Sequence, residues 1–376
     1  MFNLRKYFML DSKVIFLNHG SFGATPRPVF HEDQRWQREL EKQPVEFLGR
    51  RITRLMAESR TVLGKYLGTH ADNVVYTQNV TISLNVVARS LELGPGDEVL
   101  ASDHEYGAMD RMWRFLSKEY GFDYIRLGSS LQGFAESFWR GVTPRTRVIF
   151  LSHITSPTAV IFPIAEILRR ARAAGILTIV DGAHVPGQIP LQLDFLGADF
   201  YGGNLHKWLC APKGAGFLYA RPEVQHFLKP LIVSWGYESD TPSGSNFVDY
   251  NEWRGTRDMA AFLSVPAAIE FQEKHDWDKV RDACHDLLRE VQQRVCELTR
   301  LSPLHPQDDS WFRQMATAPL PADTDIVALK TRLYDEYRIE VPLLEWNGQK
   351  LIRISVQGYN TKKDLDRLVQ ALSHFL

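Results

Sequence analysis

The sequence predicts an α/β protein: a mainly parallel seven-stranded sheet flanked by helices, followed by a smaller α+β domain. Two observations carry this. Short apolar runs alternate with longer amphipathic stretches between Val74 and Ala220, the pattern of strands and crossover helices. Beyond residue 257 the order changes to paired helices, then strands, then a closing helix. Residues 1–25 read as an N-terminal segment, 26–257 as the large domain and 258–376 as the small one.

The seven strands are "NVVYT" (73–77), "DEVLAS" (97–102), "DYIRL" (123–127), "RVIFLSH" (147–153), "LTIVDGA" (177–183), "ADFYGG" (198–203) and "GAGFLYA" (214–220). Several are apolar on consecutive residues, as strands covered on both faces are. Helical patterns fall at about 80–91, 106–120 and 163–173. No helix separates the last two strands, so one antiparallel member is expected. Earlier helices at 27–43 and 51–67 must pack on this domain or on a partner. The 222–257 stretch, rich in Pro, Ser, Gly and aromatics, reads as a functional loop. Helices follow over 259–275 and 276–298, then a polar Pro-rich stretch and a helix near 326–337. Strands "IEVPLLEW" and "LIRISV" and a helix over 361–375 close the chain.

Composition bounds the function. With 376 residues, 44% hydrophobic, the chain can bury a sizeable core. Its formal net charge of −1 offers no basic field for nucleic acid or an anionic membrane. Three cysteines (Cys210, Cys284, Cys296) without close pairing suit a reducing, cytoplasmic compartment and exclude a disulfide framework. No apolar run reaches the roughly 18 residues of a membrane span, and "MFNLRKYFMLDSK" is not a secretion signal. The histidines lack zinc-ligand spacing. The glycines of "HGSFGAT" (19–25) follow no βαβ start, which excludes a nicotinamide fingerprint.

Ligands of open α/β sheets bind beyond the carboxyl ends of the strands. Asp181, in "IVDGAH", is there a turn former or a buried carboxylate facing a site. Asn79, Val80 and Thr81, in "NVTISLN", are an ordinary helix cap or an anion-binding helix start. His104 and Tyr106, in "SDHEYGA", are packed aromatics or a flat ring over a planar ligand. Lys207, in "GGNLHKWLCAPKGAG", is a solvated loop residue when read alone. Together, an amine, an acid, an anion-binding helix start and an aromatic at the strand ends match the needs of pyridoxal phosphate.

With these residues in view, the chain resembles the aminotransferase class V family of fold-type I pyridoxal-phosphate enzymes, in its isopenicillin N epimerase-like branch. The resemblance runs from "FLNHGSFGATP" (16–26) through "VDGAHVPGQIPLQLDFLGADFYGGNLHKWLCAPKGAGFLY" (180–219) to "IRISVQGYNTKKDLDRL" (352–368). It implies that Lys207 is the Schiff-base lysine, that Asp181 pairs with the ring nitrogen, and that His184 and Ser156 flank the cofactor's phenolic oxygen. Asn79, Val80, Thr81, Asn204 and His206 would surround the phosphate. Tyr106 would stack on the ring, with His104 the alternative. "WRGTRD" (253–258) resembles a segment that reaches a neighbouring subunit's phosphate, implying a role for Thr256 and a homodimer. Arg353 would hold the α-carboxylate of an amino-acid substrate.

The implied chemistry begins with removal of the Cα proton by Lys207. Reprotonation from the other face gives epimerisation; loss of a sulfur leaving group gives a C–S β-lyase; proton delivery to the cofactor gives transamination. Arg50 and Arg51, in "GRR", belong to the substrate or to the surface. Cysteine desulfurases of this class carry a nucleophilic cysteine on a small-domain loop. The stretch before "IEVPLL" has none, which disfavours desulfuration, and Cys210 reads as a small packed residue. The contrasting possibility is a non-catalytic binding protein that keeps the fold.

Overall fold

The computed structural model describes residues 4–128 and 130–376; residues 1–3 of the N-terminal segment lie outside it. Its strands are β1 (Ile15–Phe16), β2 (Val74–Thr77), β3 (Glu98–Ser102), β4 (Asp123–Leu127), β5 (Thr146–Ser152), β6 (Leu177–Gly182), β7 (Phe200–Asn204), β8 (Gly216–Ala220), β9 (Met315–Pro319), β10 (Ile339–Glu340), β11 (Leu343–Trp346) and β12 (Gln349–Ser355).

The central sheet has the order β2-β8-β7-β6-β5-β3-β4. Only β8 runs against its neighbours, antiparallel to both β7 and β2, so the expected single antiparallel member is there. Every residue of β2, β3, β7 and β8 is buried, which explains their unbroken apolar runs. The edge strand β4 instead exposes Asp123 and Arg126, and charge on an edge discourages pairing with another chain.

The small domain holds an antiparallel sheet, β11-β12-β9, with Arg353 of the central strand opposite Thr317. β9, "MATAP", falls in what reads as a polar, Pro-rich stretch. Its alanines and threonine have weak strand preference, and pairing with β12 overrides it. β1 pairs in parallel with β10, Ile15 opposite Ile339, which ties the N-terminal segment to small-domain residues. Two expected elements are split by proline. The helix read over 259–275 breaks at Ser264 into Ala260–Leu263 and Val265–Lys274, with Pro266 in the first turn of the second. "IEVPLLEW" divides into β10 and β11 around Pro342. The 222–257 loop carries a 3-10 helix, Pro222–Phe227, and an α-helix, Asn246–Glu252.

The helices Arg27–Lys42 and Ile52–Leu67 pack on Val265–Lys274 of this same chain. Among the described residues no helix is long and apolar enough to cross a membrane.

Candidate active site

Five strands of the central sheet end around one pocket of about 320 Å³. The end of β2 delivers Asn79, Val80 and Thr81; that of β3, Tyr106; that of β5, Ser152 and Ser156. Asp181 and His184 come from the end of β6, and Asn204, His206 and Lys207 from that of β7. Ten of the residues singled out in the sequence thus meet at one wall. Arg353 stands behind it, and Thr256 is exposed on another stretch of the chain.

The helix Val80–Ser90 starts at this wall. Asn79 caps it, its Oδ1 accepting from the Ile82 N–H at 3.0 Å, and Asn204 Oδ1 accepts from the Val80 N–H at 2.9 Å. Two donors expected to meet an anion are therefore occupied by amide side chains. The N–H and hydroxyl of Thr81 remain at the helix start, where the helix dipole favours negative charge. Gly202 and Gly203, which read as room for a ligand, serve packing instead. A Cβ on Gly202 would come 2.9 Å from Val80 Cγ2, and one on Gly203 would come 2.3 Å from the Phe217 ring.

Asp181 is buried. Its Oδ1 accepts from the Ala183 N–H at 2.9 Å, while Oδ2 is buried without a hydrogen-bond partner. Burial pushes its carboxyl up, and Lys207 draws it back. An unpaired buried acceptor costs about 1–3 kcal/mol, so a donor is wanted at Oδ2. Lys207 is fully buried among these groups. Burial pushes its ammonium down to about 7; Arg353 adds to this and Asp181 opposes it. Its Nζ lies 3.2 Å from His184 Nε2. The Trp208 indole N–H, which can only donate, lies 3.3 Å from His184 Nδ1. That assigns the histidine hydrogen to Nε2, facing a neutral lysine. Burial, then the Lys207 charge, holds His184 well below its usual range, so the ring stays neutral.

His206 Nδ1 lies 3.0 Å from the Ala215 carbonyl, and burial lowers its ring to about 4. Between the two aromatic alternatives the structure is decisive about position. Tyr106 lines the pocket. His104 is buried against the Trp346 ring, centroids 4.2 Å apart, with Nδ1 2.7 Å from Thr158 Oγ1. Arg353 is no strand-edge charge in a salt bridge. Its Nη1 donates to the Ser156 carbonyl at 2.5 Å and its Nη2 to Ser21 Oγ at 3.2 Å. Its Nε is buried without a partner. Arg51 pairs with Glu39 and Glu46 at 3.1 and 3.3 Å, away from the pocket, and Arg50 is exposed.

The sequence reading missed the N-terminal wall. Ser21 and Phe22 line the pocket, and Gly23, at φ +71, packs where a Cβ would lie 2.0 Å from the His206 carbonyl oxygen. His19 Nε2 lies 3.0 Å from the Lys207 carbonyl and its Nδ1 2.9 Å from the Tyr359 hydroxyl. Buried and pushed down to about 3, this neutral ring braces the lysine loop from behind. The glycines of "HGSFG" were the available signal.

A model of the family described as "Aminotransferase class-V" matches residues 24–368. The chain belongs to the aminotransferase class-V family. It is 35% identical to the isopenicillin N epimerase of Amycolatopsis lactamdurans, over 98% of this chain and 97% of that one. The protein of the same name from Streptomyces clavuligerus is 34% identical, over 98% and 96%. A probable chloroplastic L-cysteine desulfhydrase of Arabidopsis thaliana is 27% identical, over 95% and 82%. Among solved structures, a C-DES variant with glycine covalently linked to its PLP cofactor superposes with a TM-score of 0.86 at 20% identity, covering 99% of both chains. A cysteine desulfurase of Thermococcus onnurineus gives 0.84 at 20% identity, covering 99% and 96%. At such identities the likeness is one of fold.

Pyridoxal 5′-phosphate is the cofactor indicated for a class-V chain, and the pocket fits it. Asp181 Oδ2 lacks the donor that a protonated ring nitrogen would supply, Lys207 offers a neutral amine, and Thr81 offers donors at a helix start. The expectation against cysteine desulfuration finds no support in these comparisons, since desulfurases share the fold. Cys210 does behave as a packed residue: it is buried, and burial pushes its thiol up to about 12.

Proposed function

We propose that this class-V chain acts on the α-carbon of a free amino acid in the manner of an isopenicillin N epimerase. The observation that carries the reading is the buried, neutral Lys207 amine, 3.2 Å from the His184 ring and on the same wall as Asp181. When bound, pyridoxal phosphate supplies an electron sink for the bonding pair of a substrate Cα–H bond.

The chain's own groups then have distinct tasks. Asp181 keeps a proton on the ring nitrogen, because a buried carboxylate favours positive charge beside it. His184 and Ser156 flank the phenolic oxygen, and Tyr106 covers the ring. Thr81, with Asn79, Val80, Asn204 and His206 around it, holds the phosphate. Arg353, already oriented by Ser156 and Ser21, binds the substrate carboxylate as a planar fork. Lys207 takes the Cα proton, and its depressed basicity suits a base working near neutral pH. Thr256, exposed on the 253–258 stretch, serves a second copy, so the working unit is a homodimer. A cytoplasmic location belongs to the same reading.

A second reading, C–S β-elimination from a cysteine derivative, is supported by the likeness to the L-cysteine desulfhydrase. Incubating the cofactor-loaded protein with L- and D-amino acids and cysteine derivatives in deuterated water separates the two. Deuterium at Cα with inversion is the expected result. Pyruvate with released sulfide would establish the lyase instead, and alanine with sulfane sulfur a desulfurase. Failure to exchange the α-hydrogen of any amino acid would overturn the reading altogether.

A further inference from the structure

One buried ionisable group at the pocket has no task in the scheme above. Glu105 stands between His104 and Tyr106 just beyond β3 and is only 6% exposed. Its Oε1 lies 2.5 Å from Ser102 Oγ, the last residue of β3. Its Oε2 lies 2.9 Å from the Ser152 N–H and 2.6 Å from Ser152 Oγ. Ser152 ends β5, lines the pocket, and is the register partner of Asp181 on β6. One carboxyl therefore joins two strand ends, the first leading into Tyr106 and the second lying beside Asp181.

The contacts also say which form of the carboxyl belongs there. A carboxylic O–H can donate to Ser102 Oγ while the other oxygen accepts both hydrogens from Ser152, which satisfies every atom. The neighbouring ionisable groups are acidic ones. Asp181 of β6 acts on Glu105, and Glu105 acts on Tyr124 of β4, whose hydroxyl donates to Asp110 at 3.1 Å. Two adjacent carboxyls cannot both ionise cheaply in a buried space. Asp181 is the one that faces a cation.

We propose that Glu105 is a positioning residue, held as the neutral acid, that clamps the ends of β3 and β5 and leaves Asp181 the single negative charge at the pocket floor. The proposal rests on the reading of Asp181 as the partner of the ring nitrogen. Burial supports it, raising the Glu105 carboxyl from 4.5 to about 8. The sign follows directly. The folded chain holds this proton where the unfolded chain has lost it, so stability falls as pH rises from 4.5 to about 8 and is level above.

The test compares the parent with Glu105→Gln and Glu105→Ala. Glutamine reproduces the neutral pattern, its amide N–H donating to Ser102 and its carbonyl accepting from Ser152. Pyridoxal-phosphate affinity is read from quenching of protein fluorescence, and the melting temperature of the cofactor-free protein is read against pH. Glutamine is expected to bind within about threefold of the parent near pH 7, where Glu105 is still mostly protonated. Above pH 8 the parent should lose about tenfold in affinity relative to the glutamine variant, the scale of one pKa unit. The cofactor-free glutamine variant should lose less melting temperature than the parent between about pH 5 and pH 8. Alanine should bind more weakly at every pH, because two serines lose their partner. Parallel pH profiles for parent and glutamine, or glutamine binding as weakly as alanine at pH 7, would overturn the proposal. Asp181→Ala measured alongside isolates the underlying reading: unchanged affinity there would refute the role of Asp181, whereas the Glu105 comparison in the cofactor-free protein is independent of it.

Discussion

Two hollows of this molecule invite comparison. The larger, about 1170 Å³, is a groove between the helices Arg27–Lys42, Ile52–Leu67 and Val265–Lys274. The smaller, about 320 Å³, is the pocket at the strand ends. The groove carries charge on its rim, where Glu58 pairs with Arg54 and Glu270 with Lys274, each at 2.6 Å and more than half exposed. Such pairs, four residues apart on a helix, contribute about 0.3–0.5 kcal/mol. The pocket buries its charged groups, and each is pushed away from its ordinary protonation: Lys207 down to about 7, His184 down, Asp181 up. Concavity alone does not make a reactive site; desolvation of groups that face one another does.

The comparison breaks or holds on substitutions. The largest effect is expected for Lys207→Ala, which should abolish the absorbance near about 420 nm of the lysine-bound cofactor and reduce turnover by roughly 10³-fold or more. A variant that kept both would remove the pocket from consideration. Next comes Asp181→Asn. Asp181 raises the Lys207 ammonium, so its loss should shift the lysine's titration below about 7. The rate at which an amine reagent labels Lys207 in cofactor-free protein, followed against pH, reads this directly. Turnover should fall roughly 10²-fold, the scale of one removed electrostatic partner. A labelling midpoint unchanged by Asp181→Asn would show that the two groups do not sense each other. The smallest effect belongs to the groove. Glu58→Gln with Glu270→Gln should move stability by less than about 1 kcal/mol and leave turnover unaltered. Loss of activity there would mean that the larger hollow is functional after all.

Much of this contrast is legible in the chain itself. Seven apolar runs read as seven strands, and all seven form one sheet with β8 reversed. Asp181, His184, Asn204, His206 and Lys207 lie within one continuous stretch, so their meeting needs only β6 and β7 to pair side by side. Other parts were not legible for identifiable reasons. β9 exists because β12 pairs with it, not because "MATAP" favours a strand. Gly202 and Gly203 look the same in sequence whether they admit a ligand or a helix, and neighbouring side chains decided for the helix. Ser21 and Phe22 lie some 185 residues before Lys207 in the chain, and the β1–β10 pairing with the turn at Gly23 brings that segment over the lysine loop.

The sequence by itself determined the α/β order of elements, the family, and the residue types of the pocket, because these depend on local periodicity and on motifs confined to short stretches. Tertiary structure alone decided the protonation of those residues. Lys207 is a neutral amine, Glu105 a clamp between two strands, and Arg353 a fork without a carboxylate partner only because distant segments exclude water from them. Charge in a buried site is set by desolvation and by neighbours, and both come from other parts of the chain.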